Sequence, residues 1–226
     1  MSTSFFNPTS PFGTLTGWEI QSNNPTTTQD RAQALKANGD ENKSNLYNEK
    51  TSVSASYVAS GSPSDTIAAT GIPKFGEILN GYHVDSVSVK MTNTGFAQLD
   101  ITGHKHGTAN HPACRTYTSS LTSVPVFGCP ASVPGVTIPS GAGVRSVTYT
   151  LDGNHIDEPG SSGGFLAAEN HDGKETISVE LCDSGTITAA TGWDMTSVGN
   201  GFSNTAAATA SATVEKHLQG TAASST

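Results

Sequence analysis

The sequence predicts an all-β protein: a β-sandwich or barrel of antiparallel strands with a long N-terminal hairpin, long loops and at most one short helix. Apolar and polar residues alternate with a period of two in several runs, the mark of half-buried strands. The clearest lies between Gly81 and Gly103, where Val87, Val89 and Met91 alternate with Ser86, Ser88 and Lys90, and Ala97, Leu99 and Ile101 with Gln98, Asp100 and Thr102. Thr92-Asn93-Thr94-Gly95 between them supplies the Asn and Gly that a tight hairpin turn requires. The one stretch with a helical composition, residues 26–37, runs straight into Asn38-Gly39-Asp40, a strong hairpin signal, and is read as a strand.

In chain order, residues 1–14 form an extended arm whose Phe5, Phe6 and Phe12 are anchors, either on a neighbouring subunit or on the arm's own domain. A single β domain is expected over 15–218 and a flexible tail over 219–226. Leu15–Ser22 opens the domain as a short strand. A long polar hairpin follows, returning through Val53, Ala55 and Tyr57, which alternate with Ser52, Ser54 and Ser56. Asp65–Thr70 can form one helical turn in the loop that leads to the central hairpin. Gly103–Gly143 is irregular and holds Pro112, Pro125, Pro130, Pro134 and Pro139, yet its Val124, Val126, Phe127, Val133, Val136 and Ile138 imply that it packs on a core. Val144–Leu151 is a strand, and NHIDEPGSSGG after it a loop. Residues 165–185 are read as a second hairpin turning at His171-Asp172-Gly173. A last strand of small residues, Ala206 to Val214, allows close sheet packing. Thr16–Ser22 and Thr191–Ser197 share the pattern TGW(E/D)(I/M)xS, a candidate pseudo-repeat of sheet edges.

Composition narrows the function. Eleven Lys and Arg against 19 Asp and Glu give a formal charge of -8, which repels nucleic acid. No run of apolar residues is long enough for a membrane span, and the N-terminus lacks the basic and apolar regions of a signal peptide, so the expected site of synthesis is a cytoplasm. Leu, Ile, Val and Phe make up just under a fifth of the chain, a thin core that gains from burial against neighbouring copies. Cys114, Cys129 and Cys182 are an odd set and are read as reduced thiols, although Cys114 and Cys129 could pair in an oxidising medium.

No catalytic constellation is present: His155, Asp157 and Glu158 have no nucleophile beside them, and no phosphate loop, dinucleotide fingerprint or nucleophile elbow occurs. No cofactor is expected. The candidate metal ligands are His104, His106, His111 and Cys114, because His104 and His106 share a face of a strand and zinc takes four such ligands. His83, His155, His171 and His217 are scattered elsewhere, so the favoured reading of this cluster is a solvated or inter-subunit histidine pair and not a metal site.

The early strand TGWEIQS, the polar hairpin ALKANGDENKSNLYNEKTSVSASYV, the loop-rich middle and the closing strand TAAATASATVEKHL together resemble the layout of the major tail tube proteins of long-tailed bacteriophages. The resemblance covers most of the chain but rests on no diagnostic motif, and the helix usual beside that family's sheets is missing. It implies a non-enzymatic virion protein, assembled in the host cytoplasm, whose β subunits form rings that stack into a tube. Its partners would be copies of itself and other virion proteins, with DNA met only non-specifically in a channel. A capsid decoration or neck protein shares the same composition, and a metal-binding β-sandwich enzyme or binding module is the rival of a different class.

Overall fold

A computed structural model describes residues 9–37, 41–107, 111–159, 165–182, 186–201 and 208–222. The elements are β1 (Trp18–Leu35), β2 (Glu41–Ala59), β3 (Thr66–Ala68), a 3-10 turn (Ala69–Gly71), β4 (Ile78–Leu79), β5 (Tyr82–Thr92), β6 (Gln98–His106), β7 (Ser123–Pro125), β8 (Val136–Thr137), β9 (Gly143–Pro159), β10 (Phe165–Cys182), β11 (Thr188–Ala189), β12 (Asp194–Gly201) and β13 (Thr209–His217). The protein is all-β, as its alternating runs predict. Among the described residues the one helical turn is Ala69–Gly71; it overlaps only the end of the turn expected over Asp65–Thr70, whose Thr66–Ala68 form β3 instead. Among the described residues no helix is long and apolar enough to cross a membrane.

A large antiparallel sheet runs in the order β1-β2-β6-β5-β9-β10-β13-β12, with β4 beside β5. Its centre is built from the strands whose alternation is clearest. Val87 and Val89 of β5 lie opposite Ile101 and Leu99 of β6 on one side and Leu151 and Tyr149 of β9 on the other. All six are fully buried. Burial of one such side chain contributes roughly 1.5–3 kcal/mol, so this row dominates the fold. The proline-rich middle packs on the core as expected: Val124 and Val126 are buried, and its strands pair as β3 with β7 and β8 with β11.

The seven-residue echo is structural. Its two copies open β1 and β12, the two outermost strands of the sheet. Gly17 and Gly192 both take the left-handed backbone, at φ 86° and 82°, which favours glycine. Trp18 and Trp193 both donate their backbone N–H to the carbonyl three residues earlier, at 3.2 and 3.1 Å. Both strands then bulge at the same place in the pattern, between Ile20 and Ser22 and between Met195 and Ser197.

Three other readings change. The Asp172-Gly173 signal is not a hairpin turn: β10 runs through it, paired with β9 on both sides, and takes up the extra residue as a bulge with Asp172 at φ 52°. The segment expected as a loop after Leu151 continues β9 to Pro159, because a ribbon beyond the core carries no apolar alternation to announce it. The tail is tied down past residue 219 by Thr221, which exchanges backbone hydrogen bonds of 3.0 and 2.8 Å with Thr116. In the arm, Phe12 is buried on its own domain and meets Tyr82 edge-on. Phe5, Phe6, the Asn38–Asp40 turn, Ser161–Gly164 and residues 223–226 lie outside the described residues.

Candidate functional site

Main-chain pairing between β5 and β9 runs from Thr92 opposite Ser146 to Ser86 opposite Asp152. Just past that end, five histidines converge on two carboxylates. β6 brings His104 and His106, β5 brings His83 and Asp85, β9 brings His155 and Asp157, and the loop after β6 brings His111. Alternation explains each pair of residues two apart, since i and i+2 share a face. A register shift between Val84 and Ser86 leaves Asp85 out of the ladder with β6, and its carboxylate accepts from Nδ1 of both His83 and His104 at 2.8 Å.

Asp157 is the hub. Its Oδ2 meets Nε2 of His106 at 2.8 Å and of His104 at 3.1 Å. Its Oδ1 meets Nε2 of His155 at 2.6 Å and of His111 at 3.3 Å. Lys50 of β2 adds its ammonium at 3.8 Å. Burial alone would raise the Asp157 pKa, but the hydrogen bonds from His104, His111, His155 and His106 outweigh it and hold the carboxyl well below the usual range. Asp85 behaves alike: burial is outweighed by His104 and His83.

The opposite nitrogens of His111 and His155, and Nε2 of His83, also face oxygens. His111 Nδ1 lies 2.9 Å from the Pro112 carbonyl, and His155 Nδ1 2.6 Å from Asn170 Oδ1, which His83 Nε2 also approaches at 3.0 Å. Asn170 is oriented by its Nδ2, which donates to the Arg115 carbonyl at 2.7 Å. His83, His104, His111 and His155 therefore each turn both nitrogens to oxygen acceptors, whereas a neutral imidazole has one N–H. For His104, burial works against the charged form, but Asp157 and Asp85 overcome it and raise its pKa. For His83 burial prevails and lowers the pKa, and it does the same for His106.

Of the residues singled out in the sequence, His104, His106 and His111 come together around Asp157. They are not a solvated pair: His104 is 2% exposed and His111 5%, and the His106 side chain keeps only 14% of its surface. Cys114 sits at the margin, with its sulfur 3.9 Å from His111 Nδ1 and its thiol pushed up to about 11 by burial. His83, His155, Asp85 and Asp157, distant in sequence, complete the cluster. Their one sequence signal is the i, i+2 spacing of His83-Val84-Asp85 and His155-Ile156-Asp157, which repeats that of His104-Lys105-His106. One ligand atom each from His104, His111, His155 and Asp157 lies within 4.8 Å of the others. His83 with Cys114 and His155, and His83 with Asp85 and His104, form alternative trios.

The surfaces beside the cluster have their own character. β2 pairs with β6 only from Lys50 to Val58, whereas β1 and β2 stay paired with each other out to Leu35 and Glu41. The hairpin therefore extends roughly 25 Å past the sheet as a two-stranded ribbon. β9 and β10 form a second ribbon, from Asn154 and His171 outward to Pro159 and Phe165. His106 faces Lys50, and His104 faces His83, so both ribbons leave the same end of the sheet. The opposite end bears Phe96 and Phe127, 44% and 37% exposed and packed edge-to-face. No known family model matches the chain, and no curated protein does.

Proposed function

We propose that the protein is a non-enzymatic structural subunit that assembles with copies of itself, and that the assembly is the tail tube of a long-tailed phage virion. The observation that carries this is the pair of ribbons projecting from one end of the sheet. A two-stranded ribbon outside a core is marginal in water, because it has neither a third strand nor a buried face. Copies arranged in a ring bring ribbons edge to edge and supply both. The β12 edge, which among the described strands of the large sheet pairs with β13 alone and where Val198 is 61% exposed, offers main-chain groups to a neighbour. A head-to-tail contact of this kind closes into a ring when its rotation allows, and ring upon ring makes a tube. The exposed Phe96–Phe127 pair lies at the end of the sheet that would meet the ribbons of the next ring.

Negative-stain electron microscopy across a concentration series tests the reading. Rings or tubes are expected from the intact chain, and deletion of Ala32–Asn45 is expected to leave a folded monomer that no longer polymerises. Monomers at every concentration, or normal assembly of the deletion variant, would overturn it.

A further inference from the structure

The imidazoles of His104, His111 and His155 form a nearly equilateral triangle. Their ring centroids are 5.2 Å (His104–His111), 5.0 Å (His104–His155) and 5.1 Å (His111–His155) apart. A zinc ion about 2.1 Å from each ring nitrogen lies about 3.2 Å from each centroid, so a tetrahedral arrangement sets the centroids about 5.2 Å apart. All three rings point Nε2 at the same carboxylate. All three fix the opposite nitrogen on an oxygen acceptor: Asp85 for His104, the Pro112 carbonyl for His111 and the Asn170 amide for His155. That is the outer shell that metal-binding histidines use, since an Nδ1–H donated outward leaves the Nε2 lone pair facing the ion.

From this geometry we propose that His104, His111, His155 and Asp157 bind one zinc ion in a closed structural site. Three imidazoles and a carboxylate suit zinc, and four protein ligands leave no open position for a substrate. In a tetrahedral site ligand atoms sit about 3.4 Å apart. Asp157 meets these rings through both oxygens, Oδ2 3.1 Å from Nε2 of His104 and Oδ1 3.3 Å from Nε2 of His111, so ligation through Oδ1 turns the carboxylate toward His104. The 2.6 Å contact with His155 must open by a small side-chain rotation. The ion also resolves the proton bookkeeping, because it takes the place of the second N–H that His104, His111 and His155 would otherwise need. Its charge is matched by Asp157 and by Asp85 behind His104, while His106 and Lys50 hold the remaining lone pairs of Asp157. Cys114 is not a ligand of this ion, since its sulfur lies on the Nδ1 side of His111.

The test uses the full chain, stripped with a chelator and titrated with Zn²⁺ by calorimetry, and with Co²⁺ as a visible probe of coordination. One equivalent of Zn²⁺ and the intense visible bands of a tetrahedral cobalt site are expected. His111→Ala, His155→Ala and Asp157→Asn should each weaken binding by at least about 100-fold, the upper end of what losing an outer-shell partner costs. His111 lies in a loop outside the ladders, so that variant keeps the sheet, and far-ultraviolet circular dichroism checks it. His171→Ala and His217→Ala, on residues outside the cluster, should bind as the parent does. Absence of binding, a pale octahedral cobalt spectrum, or affinity lost with His171 or His217 and kept in the cluster variants would overturn the proposal. Binding is read on dispersed chains and does not depend on the assembly reading.

Discussion

Asn170 is the least conspicuous residue of the cluster and the one whose replacement should cost most. Its side chain is fully buried, with Oδ1 facing His83 Nε2 and His155 Nδ1 and Nδ2 donating to the Arg115 carbonyl. Asn170→Leu keeps the volume and removes every one of these partners. Three polar groups then lose a partner: two ring nitrogens and one carbonyl. A buried group left without its hydrogen bond costs about 1–3 kcal/mol; because Arg115 is exposed and its carbonyl can turn to water, only the two ring nitrogens count, and the sum is roughly 2–6 kcal/mol. Against a typical domain stability of about 5–15 kcal/mol, that brings the variant close to unfolding. The assay is equilibrium urea denaturation, followed by circular dichroism, of both proteins with a chelator present, so that no metal linkage enters the difference. A loss below about 1 kcal/mol would refute the reasoning, because it would mean that water or a rearranged loop satisfies both ring nitrogens.

Two further predictions concern the sheet. Glu175 is fully buried and accepts from Ser120 N–H at 2.9 Å and Ser120 Oγ at 2.5 Å; burial raises its pKa, and the serine hydrogen bonds, pulling the other way, do not cancel it. The folded state therefore holds this proton more tightly than the unfolded chain, so the contribution is full below the unfolded pKa, near 4.3, and is lost as pH rises through the folded value. Glu175→Gln should gain stability relative to the parent between pH 5 and pH 8, as read from urea midpoints; an equal difference at both pH values contradicts this. Val198→Lys on the β12 edge should change monomer stability by no more than about 0.5 kcal/mol while suppressing assembly, since an edge lysine blocks strand addition. Tubes of normal length from that variant would remove β12 from the interface.

The legible part of the fold was its middle. Where one face is buried, alternation is enforced, and Val87–Met91, Leu99–Ile101, Val147–Leu151 and Ile177–Leu181 all announce themselves. The ribbons are exposed on both faces and carry no such constraint, so the outer half of β9 reads as a loop and the bulge at Asp172 as a turn. The TGW echo was visible as letters, but only the shared left-handed glycine, turn and bulge make it a structural repeat. The cluster was half legible. His104 and His106 are two residues apart in sequence and His111 is close by, whereas His83, His155 and Asp157 join them through strand order, β6 beside β5 and β5 beside β9, which no local pattern encodes.

That strand order also says what a metal here would do. The sheet falls into two halves, each bounded by one copy of the TGW pattern, and the β5–β9 ladder joins them over Ser86–Thr92 and Ser146–Asp152. Beyond Ser86 and Asp152 the link passes to side chains: His83 and His155 stack with centroids 4.0 Å apart, and Asn170 bridges them. An ion held by His104 of one half and by His155 and Asp157 of the other closes the seam where the ladder stops, at the roots of both ribbons. Removing it should loosen that end alone. Backbone amides of Asn154–Asp157 and of His104–His106 should then exchange with deuterium at least about tenfold faster in chelator than in Zn²⁺, while those of Val87–Met91, at the far side of the ladder, stay unchanged; such selectivity is how local opening differs from global unfolding. Uniform acceleration along the whole sheet would mean that the ion supports global stability and not the seam, and no acceleration would mean that the side-chain network holds the halves together without it.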